Sequence, residues 1–341
     1  MSEYSPFYTI TPEILNLSYE IAAILERIDI IREKALTPQL RRENRIKTIH
    51  SSLYIEANSL TIEQVTDVMD GKHIAGPEKD IKEVKNAITA YDELLDCDPY
   101  SEQHLLKQHG LLMNGLTPDA GRYRSGDVGI FSEGTPIHVA PPAKRVPILI
   151  ACLLDWVKNI SLPQVVKSCI FHYEFEFIHP FSDGNGRMGR MWQTLLLYQE
   201  SQIFAWLPVE TIVAFRQEEY YKAIRRSTNH NDSGIFAQFM LTALRDAMVE
   251  LRKQYDKGEI KTENDNLKLG VKLDVKLGVN QIKIIELLKS DPFITIKDLA
   301  QQIKISETAV QNNLKKLKIQ GVVNRAGSDK NGQWIVVEKS H

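Results

Sequence analysis

The stretch His179-Pro180-Phe181-Ser182-Asp183-Gly184-Asn185-Gly186-Arg187-Met188-Gly189-Arg190 places one histidine, one aspartate, three glycines and two arginines within twelve residues. Its glycines and its asparagine can leave backbone N–H groups pointing outward, and a helical pattern follows, which is typical of an anion site at a helix N-terminus. The two arginines could neutralise phosphates, and Asp183 could hold a magnesium ion against phosphate oxygens. His179 could accept a proton, because an imidazole titrates near neutrality. The stretch therefore predicts a site that binds a phosphorylated ligand and transfers part of it.

Three other interpretations compete with this one. Gly184–Gly189 fits the pattern G-x-G-x-x-G, and Phe171–Phe177 alternates apolar and polar residues like a strand, as in a dinucleotide-binding fold. Against that fold, Pro180 and Asp183 separate the supposed strand from the first glycine, and no second apolar strand ending in an acid follows at the usual spacing. A calcium loop fails because Thr194 occupies the position of its closing glutamate. A plain solvated turn explains the combination of histidine, aspartate, asparagine and two arginines poorly.

The same stretch resembles the signature of the Fic (filamentation induced by cAMP) family, H-P-F-x-[DE]-G-N-G-R-x-x-R, and matches it at every defined position. The resemblance implies a mainly α fold, namely a helical core with a small β-hairpin flap, so the segment before His179 should be a helix. It also implies a nucleotidyltransferase that moves AMP from Mg-ATP to a Ser, Thr or Tyr hydroxyl of a target protein.

The resemblance assigns a role to each residue of the signature. His179 would be the catalytic base, and Asp183 would hold Mg²⁺. The residues that would bind the nucleotide phosphates are Gly184, Asn185, Gly186, Arg187 and Arg190. Gln217–Ile224 resembles the family's helix near the nucleotide base, where Tyr220 and Tyr221 could pack an adenine, although both are equally plausible core residues.

Residues 52–56, Ser52-Leu53-Tyr54-Ile55-Glu56, resemble an inhibitory motif of many Fic proteins, [ST]-x-x-x-E-[GN]. In that motif the glutamate pairs with the second arginine of the signature and blocks productive placement of the ATP γ-phosphate. Ala57 stands where Gly or Asn is usual, which puts the local helix ending in question. A charge-assisted pair inside a pocket must be displaced by a triphosphate, so it can act as a built-in competitor. We expect Glu56 to contact Arg190 and to hold the enzyme inactive.

Composition is ordinary for a protein with a sizeable core: 341 residues, of which 43% are hydrophobic and 25% charged, predict two or three domains. A net charge of -2 gives no global argument for nucleic acid. Cys97, Cys152 and Cys169 lack metal spacing, and we expect buried free thiols in a reducing, cytoplasmic compartment. The N-terminus shows no signal-peptide pattern and no apolar run of about 18 residues occurs, so we expect neither export nor a membrane span.

Helical periodicity and start signals predict the elements that surround the signature. The predicted helices are Pro12–Lys34, a strongly basic one from Gln39 to Asn58, Thr61–Met69 with a capping box, Asp80–Leu95, Ser101–Leu116, Arg145–Lys158, Leu162–Ile178, Gly184–Tyr198 and Phe236–Leu251. The basic run predicts a solvated face, and the helices at 80–95 and 101–116 carry no predicted chemistry. His172 is predicted to be a core histidine. Residues 127–139 predict a hairpin, whose flanks, Gly121–Arg124 and His138–Pro142, resemble those of the Fic flap; a target segment could dock there by strand addition.

Beyond this region, 253–279 has the composition of a linker or short hairpin. The helical patterns Asn280–Leu288, Thr295–Ile303 and Ser306–Ile319, followed by a hairpin pattern at 322–337, resemble a winged helix-turn-helix. Residues 281–341 contain ten Lys and Arg against six Asp and Glu, a mild net +4 that leaves DNA and protein partners open. The predicted domains are 1–110, which carries the inhibitory motif, the Fic core at 111–252, the linker at 253–279 and the winged helix at 280–341.

Two other functions stay open at this point. The chain could be a DNA-binding regulator whose Fic domain only senses nucleotide, or a Fic enzyme that mainly removes AMP or modifies itself. The sequence does not decide the oligomeric state, and a homodimer is one of the options.

Overall fold

The structure is a computed structural model that describes residues 4–32, 38–132, 135–205, 207, 209–256, 279–319, 322–326 and 333–336. Contacts divide the chain into two units, 1–271 and 272–341, each described by itself. Both units are built mainly from α-helices, as the sequence predicts. Among the helices described, none is long and apolar enough to cross a membrane.

The first unit contains eleven of the helices that the structure describes and one hairpin. They are α1 (Pro12–Arg32), α2 (Pro38–Ile55), α3 (Ile62–Met69), α4 (Glu78–Glu93), α5 (Glu102–Leu112), β1 (Gly129–Ser132), β2 (Thr135–Val139), α6 (Val146–Asn159), α7 (Gln164–Ile178), α8 (Asn185–Tyr198), α9 (Val209–Phe215), α10 (Gln217–His230) and α11 (Ser233–Asp256). Most bounds lie within a few residues of the predicted ones. The predicted capping box is present, since Thr61 accepts from the N–H of Gln64 and the Gln64 side chain accepts from the N–H of Thr61.

Two buried helices form the centre of this unit and carry the signature between them. Every residue of α7 except Gln164 and Phe177 is buried, and so are twelve of the fourteen residues of α8. A helix that is apolar on all sides belongs inside a core, whereas an edge helix shows one apolar stripe. The strand-like alternation of Phe171–Phe177 is misleading, because its polar residues His172, Glu174 and Glu176 are buried in α7 along with the apolar ones. α7 packs against α8 and α11, and α1 packs against α11.

The hairpin lies where the sequence predicts the flap. β1 and β2 pair antiparallel, with Gly129 opposite Val139 and Ile130 opposite His138, and the register shifts between Ile130 and Phe131. Such an irregularity increases the local twist of a strand pair. The turn at 133–134 lies outside the described residues.

The second unit contains α12 (Val279–Ser290), α13 (Ile296–Ile303), α14 (Glu307–Ile319), β3 (Val323–Ala326) and β4 (Gln333–Val336). Thr295 and Ser306 accept hydrogen bonds at the starts of α13 and α14. Trp334 of β4 is buried in the core of this unit, and its indole N–H donates to the Ile294 carbonyl at 3.2 Å. Three helices and a hairpin confirm the winged-helix prediction, while the turn at 327–332 lies outside the described residues.

Two predictions differ in detail from the structure. α11 continues to Asp256, inside the range predicted as linker; most of the rest of that range, including its partial sequence echo, lies outside the described residues. Cys97 and Cys169 are buried free thiols, but Cys152 is only half-buried. The expectation of burial is wrong for Cys152 because it sits at the edge of the buried face of α6, which runs through Leu149 and Leu153.

Candidate active site

The loop between α7 and α8 is held in place by two residues with left-handed backbone geometry. His179 caps the C-terminus of α7 with φ 52° and ψ 62°, and its N–H donates to the Phe175 carbonyl at 3.0 Å. Gly184 precedes α8 with φ 82°. A Cβ at Gly184 would lie 2.7 Å from Sδ of Met113, so both the backbone angle and the space require glycine. The loop thus sets the position of His179 relative to the start of α8.

The side chain of Asn185 closes this loop. Its Nδ2 donates to the Phe181 carbonyl at 2.8 Å, and its Oδ1 accepts from the Phe181 N–H at 2.9 Å. The residue is 2% exposed. Asn185 can therefore offer a ligand its backbone N–H, while its side chain shapes the loop.

His109 of α5 packs against the same loop and bonds its backbone. Its ring stacks on Phe181 with centroids 3.6 Å apart, and its Nδ1 accepts from the Gly121 N–H at 2.9 Å. An accepting Nδ1 leaves the proton on Nε2, which then donates to the Asp183 carbonyl at 3.1 Å. Burial lowers the pKa of His109, which keeps this neutral form populated near neutral pH.

Unpaired N–H groups and one exposed carboxylate meet at the start of α8. The N–H of Met188 is the one that closes the first helical turn, on the Gly184 carbonyl at 3.0 Å. The N–H groups of residues 185–187 therefore have no acceptor within the helix. The Asp183 side chain is 60% exposed beside them, and its Oδ1 accepts from the Gly184 N–H at 2.6 Å. The site is thus suited to an anion.

A magnesium ion fits this arrangement only together with a phosphorylated ligand. Among the residues described, no group of three or more His, Cys, Asp or Glu side chains could hold a metal ion. Mg²⁺ is commonly bound by one or two carboxylates plus substrate phosphates. The exposed carboxylate of Asp183, next to the start of α8, supplies the one protein ligand that such a site needs.

Arg187 lies buried under the loop and faces two carboxylates. Its Nη1 is 3.4 Å from Oε1 of Glu83 on α4, and its Nη2 is 3.5 Å from Oδ1 of Asp183. Glu83 in turn accepts from Nδ2 of Asn58 at 2.8 Å, so the segment after α2 also contributes to the position of Arg187.

Arg190 is 1% exposed and is paired with the end of α2. Its Nη2 donates to Oε1 of Glu56 at 2.7 Å and to the carbonyl of Ser52 at 3.3 Å. Burial lowers the pKa of the Arg190 guanidinium, but the Glu56 carboxylate more than offsets this, so the pKa stays raised. A Cβ on Gly186 would lie 2.8 Å from Oε1 of Glu56, so glycine there permits the pair. The contact expected from the sequence is present, and its inhibitory role stays a prediction.

Three buried arginine nitrogens in this site have no hydrogen-bond acceptor within the described part of the chain. They are Nε of Arg187, Nε of Arg190 and Nη1 of Arg187, of which the last makes an ion-pair contact with Glu83 at 3.4 Å. Buried donors are normally satisfied, and a buried group left without a partner is costly. Together with the N-terminus of α8, these donors favour an anionic ligand.

The helix that carries Glu56 ends despite the missing glycine. The Ala57 N–H donates to the Tyr54 carbonyl and the Asn58 N–H to the Leu53 carbonyl, at 3.0 and 3.1 Å, which is a Schellman ending. Ala57 takes the left-handed position with φ 67°. Because this conformation crowds a Cβ, it costs roughly 1–2 kcal/mol relative to an ordinary backbone. The sequence left the ending of α2 in question because Ala57 replaces Gly or Asn. The structure shows that the helix does end there, with Ala57 in a strained backbone conformation.

The two tyrosines predicted near the adenine differ in exposure. Tyr220 is 1% exposed, and its hydroxyl contacts Nε2 of His172 at 3.0 Å. Tyr221 is 40% exposed and meets the Tyr220 ring edge to face. Only Tyr221 of the two offers a ring to a ligand, and its base-stacking role stays a prediction. His172 is fully buried, and burial lowers its pKa to about 3, which confirms it as a core histidine.

Three residues at the site were assigned no role from the sequence: Glu83, His109 and Arg124. One signal was available for Glu83, because Glu83, Ala87, Ala90 and Leu94 recur at helical spacing and all four are buried. A glutamate on an apolar face predicts a buried ionic partner. His109 and Arg124 bond mainly to backbone atoms, and such bonds leave no pattern in a sequence.

Comparison with known proteins identifies a family for each of the two units. The sequence model of the Fic/DOC family matches residues 99–197, and that of a winged helix-turn-helix DNA-binding domain matches 279–324. The crystal structure of a Fic family protein from Desulfovibrio desulfuricans G20 is 43% identical, with a TM-score of 0.70, over 99% of this chain and 100% of that one.

Curated relatives are more distant and only partly covered. The protein adenylyltransferase fic-1 of Caenorhabditis elegans is 24% identical over 67% of this chain and 44% of its own length. A probable protein adenylyltransferase of Aquifex aeolicus is 38% identical over 37% of each chain. This chain therefore spans less than half the length of these two relatives.

Proposed function

The chain belongs to the Fic family, and we propose that it is a protein adenylyltransferase that moves AMP from ATP to a Ser, Thr or Tyr hydroxyl of a target protein. The observation that carries this proposal is the assembly of His179, Asp183 and two buried arginines around the N-terminus of α8. The adenylyltransferase relatives support the same reaction.

In this reaction the target hydroxyl attacks the α-phosphorus of ATP, and the bond to the pyrophosphate breaks. His179 takes the proton from the hydroxyl as the new O–P bond forms. General base help of this kind contributes roughly 10²–10⁴-fold. His179 is half-buried at the end of a buried helix, and Ser182 and Asp183 in the same loop are exposed, which supports this role.

The phosphates would lie against the start of α8. N–H groups of residues 185–187 and the guanidinium groups of Arg187 and Arg190 neutralise their charge, which is the main source of catalysis in phosphoryl transfer. Asp183 would hold Mg²⁺, whose chemistry here is to neutralise phosphate oxygens and orient the leaving group. The three buried arginine nitrogens without acceptors support this placement.

Glu56 would keep the enzyme inactive by occupying Arg190. Glu56 holds Nη2 of the buried Arg190 guanidinium, so a phosphate oxygen would have to displace the carboxylate to bond that nitrogen. Target segments would dock along the β1–β2 hairpin by strand addition. The free thiols of Cys97, Cys152 and Cys169 support a reducing compartment such as the cytoplasm.

The proposal is tested with α-labelled ATP, magnesium and lysate proteins as acceptors, using the Glu56→Gly chain. We expect labelled protein whose mass increases by one AMP moiety, and the additional change His179→Ala should lower the transfer roughly 10²–10⁴-fold while ATP binding persists. If the Glu56→Gly, His179→Ala protein transferred label at the same rate as the Glu56→Gly protein, the role of His179 as the base would be refuted. An adduct of another mass would change the reaction assigned.

We further propose that the second unit binds double-stranded DNA. Thr308, Gln311, Asn312 and Lys315 share the exposed face of α14, at the spacing of one helical side. Amide side chains of this kind can read adenine in the major groove, and the family match to a DNA-binding winged helix supports it. In a filter-binding titration with double-stranded DNA, the binding constant should fall steeply as the salt concentration rises. A DNA affinity that does not depend on salt would contradict phosphate contacts and would leave a protein partner as the alternative.

A further inference from the structure

Arg124 is a buried arginine between the hairpin and the catalytic loop, and the reaction described above does not use it. It lies in the segment before β1, and only 3% of its surface is exposed. A buried guanidinium must find acceptors for its donors or it destabilises the fold. Arg124 finds most of them on backbone carbonyl groups.

On one side these carbonyls belong to the end of α7 and the start of the loop. Nε of Arg124 donates to the His179 carbonyl at 2.7 Å, and Nη2 reaches the Ile178 carbonyl at 3.3 Å. The backbone N–H of Arg124 donates to the Pro180 carbonyl at 3.0 Å. The last carbonyls of a helix lack intrahelical donors and carry partial negative charge, so a cation is favourable there.

On the other side the same guanidinium bonds both ends of the hairpin. Nη1 donates to the Gly126 carbonyl at 3.0 Å, before β1, and Nη2 donates to the Pro141 carbonyl at 2.5 Å, after β2. Asp127 is a distant counter-charge, with Oδ1 3.9 Å from Nη1 and 75% of its side chain exposed. One planar group therefore connects the two ends of the hairpin to the backbone of His179.

The backbone of His179 needs such support. It is a non-glycine residue with φ 52°, a conformation that is rarely adopted and persists only where surrounding contacts maintain it. Its N–H is held by Phe175 and its carbonyl by Arg124. The direction of the imidazole depends on this backbone conformation.

We propose that Arg124 is a positioning residue that holds His179 and the root of the hairpin in one geometry, so that a target segment docked on the hairpin presents its hydroxyl to the base. This inference rests on the proposed transfer reaction. Lysine keeps the charge but lacks the planar fork, so it cannot bond carbonyls on both sides at once.

The test compares Arg124→Lys with Arg122→Lys, both in the full-length Glu56→Gly chain. Arg122 is the matched control because its Nη2 donates to the Pro118 carbonyl at 2.8 Å, away from His179. With α-labelled Mg-ATP and lysate proteins, Arg124→Lys should lower the maximal transfer rate by about 100-fold, the effect of misplacing a reacting group by about 1 Å. ATP affinity, measured by calorimetry, should change no more than in the control. The melting temperature should fall further than in the control, because Arg124→Lys removes buried hydrogen bonds.

Hydrogen exchange on the same proteins gives a readout that does not need transfer. Arg124→Lys should speed exchange at the amides of Ala140 and His179 and leave α8 protected. Labelling equal to the control, or a loss of ATP affinity that matches the loss of transfer, would overturn the positioning role. A Glu56→Gly parent that labels nothing would refute the proposed function itself, and unchanged exchange would then refute the role of Arg124 independently.

Discussion

Arg187 and Arg190 lie three residues apart on α8 and each faces a glutamate, but the two glutamates are held differently. Glu83 sits within α4, its side chain is 7% exposed, and Asn58 donates to it. Glu56 follows the last residue of α2 and its side chain is 34% exposed. We propose that this difference in exposure and backbone setting makes Glu83 a permanent counter-charge and Glu56 one that a phosphate can displace.

The largest effect on stability is expected when Glu83 is removed. Glu83→Ala leaves Arg187 buried without this partner, so we expect the free energy of unfolding to fall by about 3–5 kcal/mol. The control is Glu93→Ala at the end of the same helix, because Glu93 pairs with Lys107 on the surface; surface pairs contribute about 0–1 kcal/mol. Urea denaturation measures both, and equal losses in the two variants would show that Glu83 is no more important than a surface ion pair.

Glu176 is a third carboxylate near Arg190, and its protonation depends on burial, on Arg190 and on Glu56. Its Oε1 is buried without a hydrogen-bond donor in the described structure. Burial raises the pKa of Glu176, Arg190 lowers it and Glu56 raises it, and the net result is a pKa of about 7. The folded state thus keeps its proton to higher pH than the unfolded state does, so this carboxyl costs stability progressively as pH rises from about 4.5 to 7.

We expect Glu176→Gln to remove that cost. Its stability relative to wild type should rise across this window by on the order of 1–3 kcal/mol. The gain should shrink in the Glu56→Gly background, because removing Glu56 leaves Arg190 to stabilise the Glu176 carboxylate. Unfolding followed as a function of pH measures both effects, with the exposed Glu219→Gln as control; a gain that does not vary with pH would contradict the account.

Ala57 is expected to show the smallest effect. Ala57→Gly relieves a left-handed backbone, so it should raise stability by about 1 kcal/mol. It should also lower basal transfer slightly, because it strengthens the helix end that carries Glu56. Lys304→Gly, at the left-handed cap of α13, is the matched control and should raise only the stability of the second unit. A destabilised Ala57→Gly protein would mean that Ala57 is not strained.

Local chemistry made much of this molecule predictable. Thr61 and Gln64 form their capping box because both partners lie within one helical turn. The helices around the signature were predictable from the spacing of the apolar residues that they bury. The Glu56–Arg190 contact was expected because the inhibitory motif resembles that of a known family, not because its residues are close in sequence.

Other features depend on the folded chain and could not be predicted in this way. The conformation of Ala57 is set by the two backbone hydrogen bonds that end α2, although alanine disfavours it. Tyr220 and Tyr221 are adjacent and chemically alike, and only packing places one in the core and the other at the surface. Arg124 bonds carbonyl groups, which every residue has, so the identity of its neighbours carries no signal.

The central claim is that Glu56 and ATP compete for Arg190, and a double-mutant cycle on transfer of label from α-labelled ATP tests it most directly. A charge-assisted hydrogen bond is worth ~1.5–3 kcal/mol, so Glu56→Gly should raise transfer by on the order of 10- to 100-fold. In an Arg190→Ala background the same change should have no further effect. Transfer left unchanged by Glu56→Gly, or raised equally without Arg190, would contradict the account.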